Sequence, residues 1–166
     1  KEYGNAELII DAKGKAVLPG FVDGHIHTGL SLVRGEAQDV PEIEWMLKTM
    51  APFTDHFKPE HSIKGSRVGV LEAMKAGTTT FGEIGGNMSP VAEQVFVPAG
   101  VRANLANTIN QIGPESRPDP HKPYIFFEDI GEAKFKSGVE LVKRYNDKGE
   151  GRVSAILSPH GADMMD

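Results

Sequence analysis

Short apolar runs alternate with helical patterns from residue 21 onward, and this alternation constrains the fold more than any other feature of the chain. The runs that we interpret as strands are Phe21–Ile26, Thr78–Phe81, Val101–Ala106 and Val153–Leu157. Strands that alternate with helices form right-handed βαβ units around a parallel sheet. The pattern therefore predicts four parallel strands, which are either half of an eight-stranded barrel or a small open α/β domain.

Proline and glycine mark the helices between these strands. Pro59 stands at a first-turn position and Gly77 at an end position, and Ser89-Pro90 and Gly100 enclose the next helix in the same way. Further helices are predicted over Pro41–Met50 and Asp129–Asn146. Every interval between predicted strands thus holds at least one helix. The interval before the fourth strand also holds a long proline-rich loop, residues 107–128.

Length and composition exclude several classes of protein. The 166 residues fall short of the roughly 250 of a complete eight-stranded barrel. A net charge of −5 without a basic cluster argues against a nucleic-acid partner, and no apolar run approaches the ~20 residues that would cross a membrane. The chain has no cysteine, which fits the cytoplasmic location that we predict and leaves histidine and carboxylates as the available metal ligands.

The segment Phe21-Val22-Asp23-Gly24-His25-Ile26-His27 is the most informative for function. Residues two apart on a strand point the same way, so His25 and His27 project together at the carboxyl end of the first strand. Active sites of α/β barrels form at that end. We therefore predict that His25 and His27 are ligands of a metal ion.

The run from Ile10 to His27 resembles the opening segment of the amidohydrolase superfamily, in which a small β-sandwich leads into the first barrel strand. Later segments are similar to the branch that contains cytosine, guanine and adenosine-derivative deaminases and the triazine chlorohydrolases. These segments are Leu32-Val33-Arg34-Gly35, Glu44-Trp45, Gly77-Thr78-Thr79-Thr80-Phe81 and Ser158-Pro159-His160.

This resemblance implies an architecture and a domain division. Residues 21–166 would form the amino-terminal half, strands one to four, of a metal-dependent (β/α)8 hydrolase barrel, and residues 1–20 the end of the β-sandwich. The chain opens without an initiator methionine and stops at Asp166, directly after a predicted strand. We therefore expect a piece of a longer protein, inactive when alone.

The resemblance also implies the chemistry. One divalent metal, with zinc favoured over iron, would be held by His25 and His27 together with residues beyond 166, and a metal-bound hydroxide would remove an amino or chloro group from a nitrogen heterocycle. His160 would orient this small substrate, and the proton shuttle is also expected beyond residue 166. We further expect a homo-oligomer with neither nucleic-acid nor membrane partners.

Two alternatives remain open at this point. One is a cyclic amide hydrolase of the dihydroorotase or hydantoinase kind, although Leu157-Ser158-Pro159-His160 lacks the lysine that holds two metals in such enzymes. The other is a small non-catalytic α/β binding module. Thr54 replaces a ribose-binding glutamate of adenosine-type deaminases, which we take as evidence against a nucleoside substrate.

Other polar residues are assigned minor roles. Glu83 is expected to be a solvated side chain at a strand end, and surface positions are predicted for His56, His61 and His121. Trp45 and Met46 either form an apolar wall over the pocket or have a packing role only.

Overall fold

A computed structural model describes residues 4, 6–36, 38–41, 44–45, 50–113, 116, 124–146 and 148–166. Within these ranges the chain forms a parallel sheet whose strands follow the order of the sequence. The strands are β1 (Phe21–Ile26), β2 (Thr78–Gly85), β3 (Arg102–Ile109), β4 (Val153–Ala155) and β5 (Ser158–Pro159). The predicted α/β fold class and four-strand parallel order are confirmed.

The strand register brings the carboxyl ends of the strands to one edge. β1 pairs with β2 through Asp23 opposite Phe81 and Ile26 opposite Glu83. β3 pairs with β2 along its length and with both β4 and β5. The predicted fourth strand, Val153–Leu157, is therefore shortened to β4, and a further short strand, β5, follows it; both pair with β3.

The helices lie between the strands in the chain. They are a 3-10 helix (Thr28–Val33), α1 (Ala51–Thr54), α2 (Pro59–Lys75), α3 (the consecutive segments Ser89–Val91, Ala92–Phe96 and Val97–Ala99), α4 (Glu128–Tyr145) and α5 (Lys148–Gly151). Gly100 ends α3 with φ 70°, a left-handed conformation that glycine adopts without a steric penalty. The predicted starts at Pro59 and Ser89 are confirmed. Most of the predicted helix Pro41–Met50 lies outside the described residues.

The hydrophobic core fills the space between the sheet and the helices. Phe81 of β2 and Phe96 of α3 are fully buried, with ring centres 5.7 Å apart. Leu105 of β3 and Leu141 of α4 are buried in the same cluster. Side chains at alternate positions of each strand therefore face the helices, and the intervening positions are left for the opposite face of the sheet.

Residues 6–20 are irregular and, apart from the half-buried Ala12, exposed in the structure. A turn is present, because the Lys15 N–H donates to the Ala12 carbonyl at 2.9 Å, but the described part of this segment contains no strand. An isolated two-stranded hairpin is marginally stable without a third strand or a packing partner. The assignment of residues 1–20 to a β-sandwich stays a prediction.

Candidate functional site

His25 and His27 come together at the carboxyl end of β1, as the spacing predicts. Their ring centres are 5.0 Å apart and the ring planes are perpendicular. Both side chains are exposed at the edge of the sheet. The residue between them, Ile26, instead packs against the hydrophobic core, so the strand alternation separates a core side chain from two polar ones.

The end of β2 fixes the orientation of the His27 ring. Nδ1 of His27 lies 2.8 Å from the carbonyl oxygen of Ile84. A carbonyl oxygen only accepts hydrogen bonds, so Nδ1 must carry the proton and donate it. The neutral ring then presents Nε2 with its lone pair, and this is the arrangement that a metal-binding histidine takes from an outer-shell carbonyl.

Glu83 holds Thr28, the residue that follows His27 in the chain. Its two carboxylate oxygens accept the backbone N–H of Thr28 at 2.9 and 3.2 Å. The hydroxyl of Thr28, in turn, donates to the hydroxyl of Ser66 in α2 at 2.8 Å. β2 therefore fixes residues 27 and 28 through two adjacent residues, and α2 supports the same turn from the other side.

The expectation that Glu83 is a solvated strand-end residue is wrong. β2 extends to Gly85, so Glu83 lies inside the strand and is only 4% exposed. Burial raises the pKa of Glu83 from its ordinary value of 4.5 to about 7; the bonds from Thr28 oppose this rise and the charge of Asp23 adds to it. A signal was present in the sequence, since Glu83 is two residues from the core residue Phe81 and shares its face of the strand.

A cavity of about 180 Å³ adjoins these residues. His27 and Glu83 line it together with Phe57 and the β2–α3 turn, Gly85 to Met88. Concave sites with apolar walls and a few polar groups are the usual places for small-molecule binding. The cavity thus provides a space next to the two imidazoles, on the side of the first βα connection.

His160 directly follows β5, at the same edge of the sheet. Its backbone N–H donates to the carbonyl of Ile109 at 2.8 Å, and its ring Nδ1 lies 3.1 Å from Nδ2 of Asn110. Burial lowers the pKa of His160, and protonation of His27 would lower it further. Smaller lowering contributions come from Lys134 and His25, while Asp163 acts in the opposite direction. The structure therefore brings His160 into electrostatic range of the His25–His27 pair.

The described residues do not by themselves complete a metal site. Among them, no group of three or more histidine, aspartate or glutamate side chains is placed to hold a metal ion. The His25–His27 pair supplies two nitrogens, and further ligands would have to come from elsewhere.

The remaining candidates lie away from this pair. Thr54 donates its hydroxyl to the Met50 carbonyl at 3.0 Å, so it is used within its own helix. His61 accepts the Lys58 N–H at 2.9 Å at the start of α2, and His56 is exposed. Trp45 lines a separate cavity of about 200 Å³ beside the 3-10 helix. His121 and Met46 lie outside the described residues.

The fold and the positions of these side chains define the class of protein. The chain is part of an α/β barrel, and its candidate site lies at the carboxyl ends of the strands. The chain belongs to the amidohydrolase family, whose profile matches residues 16–164. The resemblance inferred from the residues is thereby confirmed. In the part of the chain that the structure describes, no helix has both the length and the apolar character needed to cross a membrane.

Curated relatives cover nearly all of this chain. A 5-methylthioadenosine/S-adenosylhomocysteine deaminase of Moorella thermoacetica is 32% identical over 93% of this chain and 32% of its own length. A 5'-deoxyadenosine deaminase of Methanosarcina acetivorans is 33% identical over 94% of this chain and 33% of its own length. The chain therefore spans about a third of the length of the curated relatives that it matches.

Solved structures confirm the fold. Guanine deaminase of C. acetobutylicum superposes with a TM-score of 0.69 at 17% identity, over 89% of this chain and 34% of the other. Atrazine chlorohydrolase of Arthrobacter aurescens, crystallised with zinc, gives a TM-score of 0.61 at 18% identity, over 90% and 36%. At these identities the likeness establishes a partial barrel and carries no statement about activity.

Proposed function

We propose that this protein is a metal-dependent hydrolase that removes an amino or chloro group from a nitrogen heterocycle. The observation that carries the proposal is the His25–His27 pair at the carboxyl end of β1, with Nδ1 of His27 committed to the Ile84 carbonyl. This hydrogen bond leaves Nε2 as a free ligand nitrogen. A structural histidine in a strand would not need a neighbouring imidazole 5.0 Å away.

The two imidazoles fit a divalent cation. Imidazole nitrogen suits zinc and iron alike, and we favour zinc because an adenosine deaminase of Xanthomonas campestris and the atrazine chlorohydrolase were both crystallised with it. When bound, such a cation lowers the pKa of a coordinated water and so supplies a nucleophile near neutral pH. The remaining ligands and the proton shuttle are expected beyond residue 166.

The chain's own residues then have separate tasks. His25 and His27 hold the metal, and the end of β2 orients His27. His160 orients the substrate, because it follows β5 directly and its ring lies at the same edge of the sheet as His25 and His27. The cavity beside His27 offers space for part of the substrate.

The relatives' names favour an amino group on an adenosine-type nucleoside as the first substrate to test. Thr54, in place of a ribose-binding glutamate, is evidence against a nucleoside substrate, and its hydroxyl already donates a hydrogen bond to the Met50 carbonyl. A nucleoside would therefore need sugar contacts from other residues. We also expect a cytoplasmic homo-oligomer acting on small heterocycles, with neither nucleic-acid nor membrane partners.

The test uses the longest gene product that contains these residues. The purified protein is analysed for metal content and assayed with 5'-deoxyadenosine, guanine, cytosine, atrazine and dihydroorotate, by following release of ammonia, release of chloride and ring opening. We expect one metal per chain and release of ammonia or chloride. Two metals with ring opening would favour a cyclic amide hydrolase instead, and no metal with no turnover would overturn the proposal.

Matched histidine variants locate the site. His25→Gln and His27→Gln should each lose the metal and at least about a hundredfold in kcat/KM, since even the loss of a group that only hydrogen-bonds to a metal ligand costs about 10–100-fold. His56→Gln makes the same substitution at an exposed position and should retain both properties. Equal metal content in all three variants would place the metal elsewhere.

A further inference from the structure

A partly buried polar cluster connects α4 to His160. Asn110 follows β3 directly and is 8% exposed. Its side chain contacts Lys134 of α4 on one side and His160 on the other. These residues are 24 and 50 positions from Asn110 in the sequence, so only the fold brings them together.

The surroundings of Asn110 determine which way its amide points. Oδ1 lies 2.5 Å from Nζ of Lys134 and 3.2 Å from the backbone nitrogen of Ile112. A lysine ammonium and a backbone N–H are both donors with no acceptor function. The atom that they share must be the amide oxygen, so the amide nitrogen has to face His160.

This orientation fixes the tautomer of His160. Nδ2 of Asn110 lies 3.1 Å from Nδ1 of the His160 ring. An amide nitrogen only donates hydrogen bonds, so Nδ1 must accept, and the proton of the neutral ring is on Nε2. The ring therefore presents an N–H donor on its opposite edge, and the residue as a whole is exposed.

Lys134 is itself held in place by the packing of α4. Its Nζ also donates to the Ile112 carbonyl at 2.8 Å. The Phe127 N–H donates to the Gln111 carbonyl at 2.9 Å, just before the helix. A side chain at Gly131 would place its Cβ 2.7 Å from Cγ of Gln111, so this glycine lets the helix approach closely. The position of the ammonium is thus set by the scaffold.

We propose that Lys134 and Asn110 are positioning residues that hold His160 as an Nε2–H donor, so that the site selects heterocycles which offer an unprotonated acceptor atom to it. The acceptor would be a ring nitrogen or an exocyclic oxygen. This inference rests on the proposed function, in which His160 orients the substrate. Lys134 acts on the substrate only through Asn110 and His160.

The first experiment reads the tautomer directly, with no need for metal or substrate. Protein labelled with ¹⁵N at histidine is studied by NMR above the pH at which the ring titrates, and the His160 signals are identified by their loss in His160→Asn. We expect Nε2 to carry the proton in the parent protein. A ring that is mainly protonated on Nδ1 would overturn the proposal.

Asn110→Asp is the sharpest variant because it keeps the side-chain volume and the contact with Lys134. Both oxygens of aspartate accept, so the variant should draw the His160 proton to Nδ1 and invert the tautomer. Lys134→Met removes the shorter of the two hydrogen bonds that orient the amide and leaves only the longer one from the Ile112 N–H, so part of the His160 population should change to the other tautomer. Lys136→Met is the control, since it makes the same change on an exposed side chain of α4. If Asn110→Asp fails to fold, the tautomer of His160 measured in Lys134→Met decides whether the proposal holds.

A kinetic readout separates this proposal from the proposed function. With 5'-deoxyadenosine, Asn110→Asp and Lys134→Met should each lower kcat/KM at least about tenfold, the effect of one hydrogen bond of ~1.4 kcal/mol, while Lys136→Met should not. An inverted tautomer with unchanged kcat/KM would overturn the selective role. If the parent shows the Nε2 tautomer but no substrate of the panel is hydrolysed, the positioning stands and the proposed function fails.

Discussion

Replacing Glu83 with glutamine should remove a pH dependence of stability that the structure assigns to this one carboxyl. Glu83 is 4% exposed, and burial raises its pKa from 4.5 to about 7. Ionisation is therefore more costly in the folded chain than in the unfolded chain. The contribution of Glu83 to stability should be most favourable below about pH 4.5, fall as the pH rises to about 7, and stay level above that value.

The size of the effect follows from the same two values. Each pKa unit corresponds to about 1.4 kcal/mol, so the interval from 4.5 to about 7 corresponds to about 3 kcal/mol of unfolding free energy. Glu83→Gln keeps an oxygen that can accept the Thr28 N–H but cannot ionise. The variant should therefore lack the decline, whatever constant offset the new amide adds.

The assay is urea unfolding of the metal-free protein, measured in steps between about pH 4.5 and about pH 8. The quantity of interest is the difference between the parent and Glu83→Gln at each pH, which should change by about 3 kcal/mol across the range. Glu140→Gln, at an exposed position of α4, serves as the control. Parallel curves for the parent and Glu83→Gln would refute the reasoning, because a carboxyl that titrates alike in both states is not buried.

Two further predictions concern packing, each measured by urea unfolding. Gly82→Ala should lower the free energy of unfolding by about 1–3 kcal/mol and lower the metal content, because its Cβ would lie 2.4 Å from the Gly24 carbonyl oxygen. Gly86→Ala, whose Cβ meets nothing within 4 Å, should change neither quantity, and equal effects of the two variants would contradict the close approach of Gly24 to Gly82. Phe81→Ala should cost about 3–5 kcal/mol, since the ring is fully buried, whereas Phe135→Ala, 51% exposed, should cost less than about 1 kcal/mol. Similar losses for the two phenylalanines would contradict the assigned core.

The sequence predicts the order and type of the elements well because the relevant signals are local. Pro59 begins α2 and Gly100 ends α3, as their backbone preferences require. The ends of the strands are predicted less well. β2 and β3 extend three or four residues beyond Phe81 and Ala106, and the added residues include buried polar side chains, Glu83 and Asn107.

Polar residues can lie inside these strands because distant groups satisfy them. Asn107 accepts the Met88 N–H at 2.9 Å and donates to the Ser137 hydroxyl at 2.8 Å. Glu83 has the Thr28 N–H. A local pattern cannot supply partners that are tens of residues away, so the sequence analysis predicts Glu83 as solvated and places Asn107 at the start of a loop.

The candidate site likewise has one part that the sequence predicts and another that it does not. The pairing of His25 with His27 follows from the two-residue period of a strand, which is local. The groups that orient the imidazoles are not local, because Ile84 is 57 residues from His27 and Asn110 is 50 residues from His160. The residue types of the candidate site are therefore visible in the sequence, whereas the tautomers of His27 and His160 depend on the tertiary structure.

An irregularity between β1 and β2 explains why these imidazoles stand where they do. Phe21 pairs with Thr78 and Val22 with Thr80, so one step along β1 first matches two along β2. Asp23 then pairs with Phe81 and Ile26 with Glu83, so three steps along β1 match two along β2 and restore the starting register. Such a bulge shifts the following side chains by one position, which in a strand means the opposite face. With the extra residue, His27 follows the Ile26–Glu83 pair and its Nδ1 reaches the carbonyl of Ile84.

Glycine at position 82 makes this bulge sterically possible. An alanine Cβ there would lie 2.4 Å from the Gly24 carbonyl oxygen and 2.8 Å from its carbon, well inside contact distance. Relief of that overlap requires β1 to move away from β2 at the residue just before His25. Because the His27–Ile84 hydrogen bond crosses the same strand pair, such a movement would release the His27 ring. Loss of metal from Gly82→Ala with the fold intact would therefore show that the bulge belongs to the site as well as to the sheet.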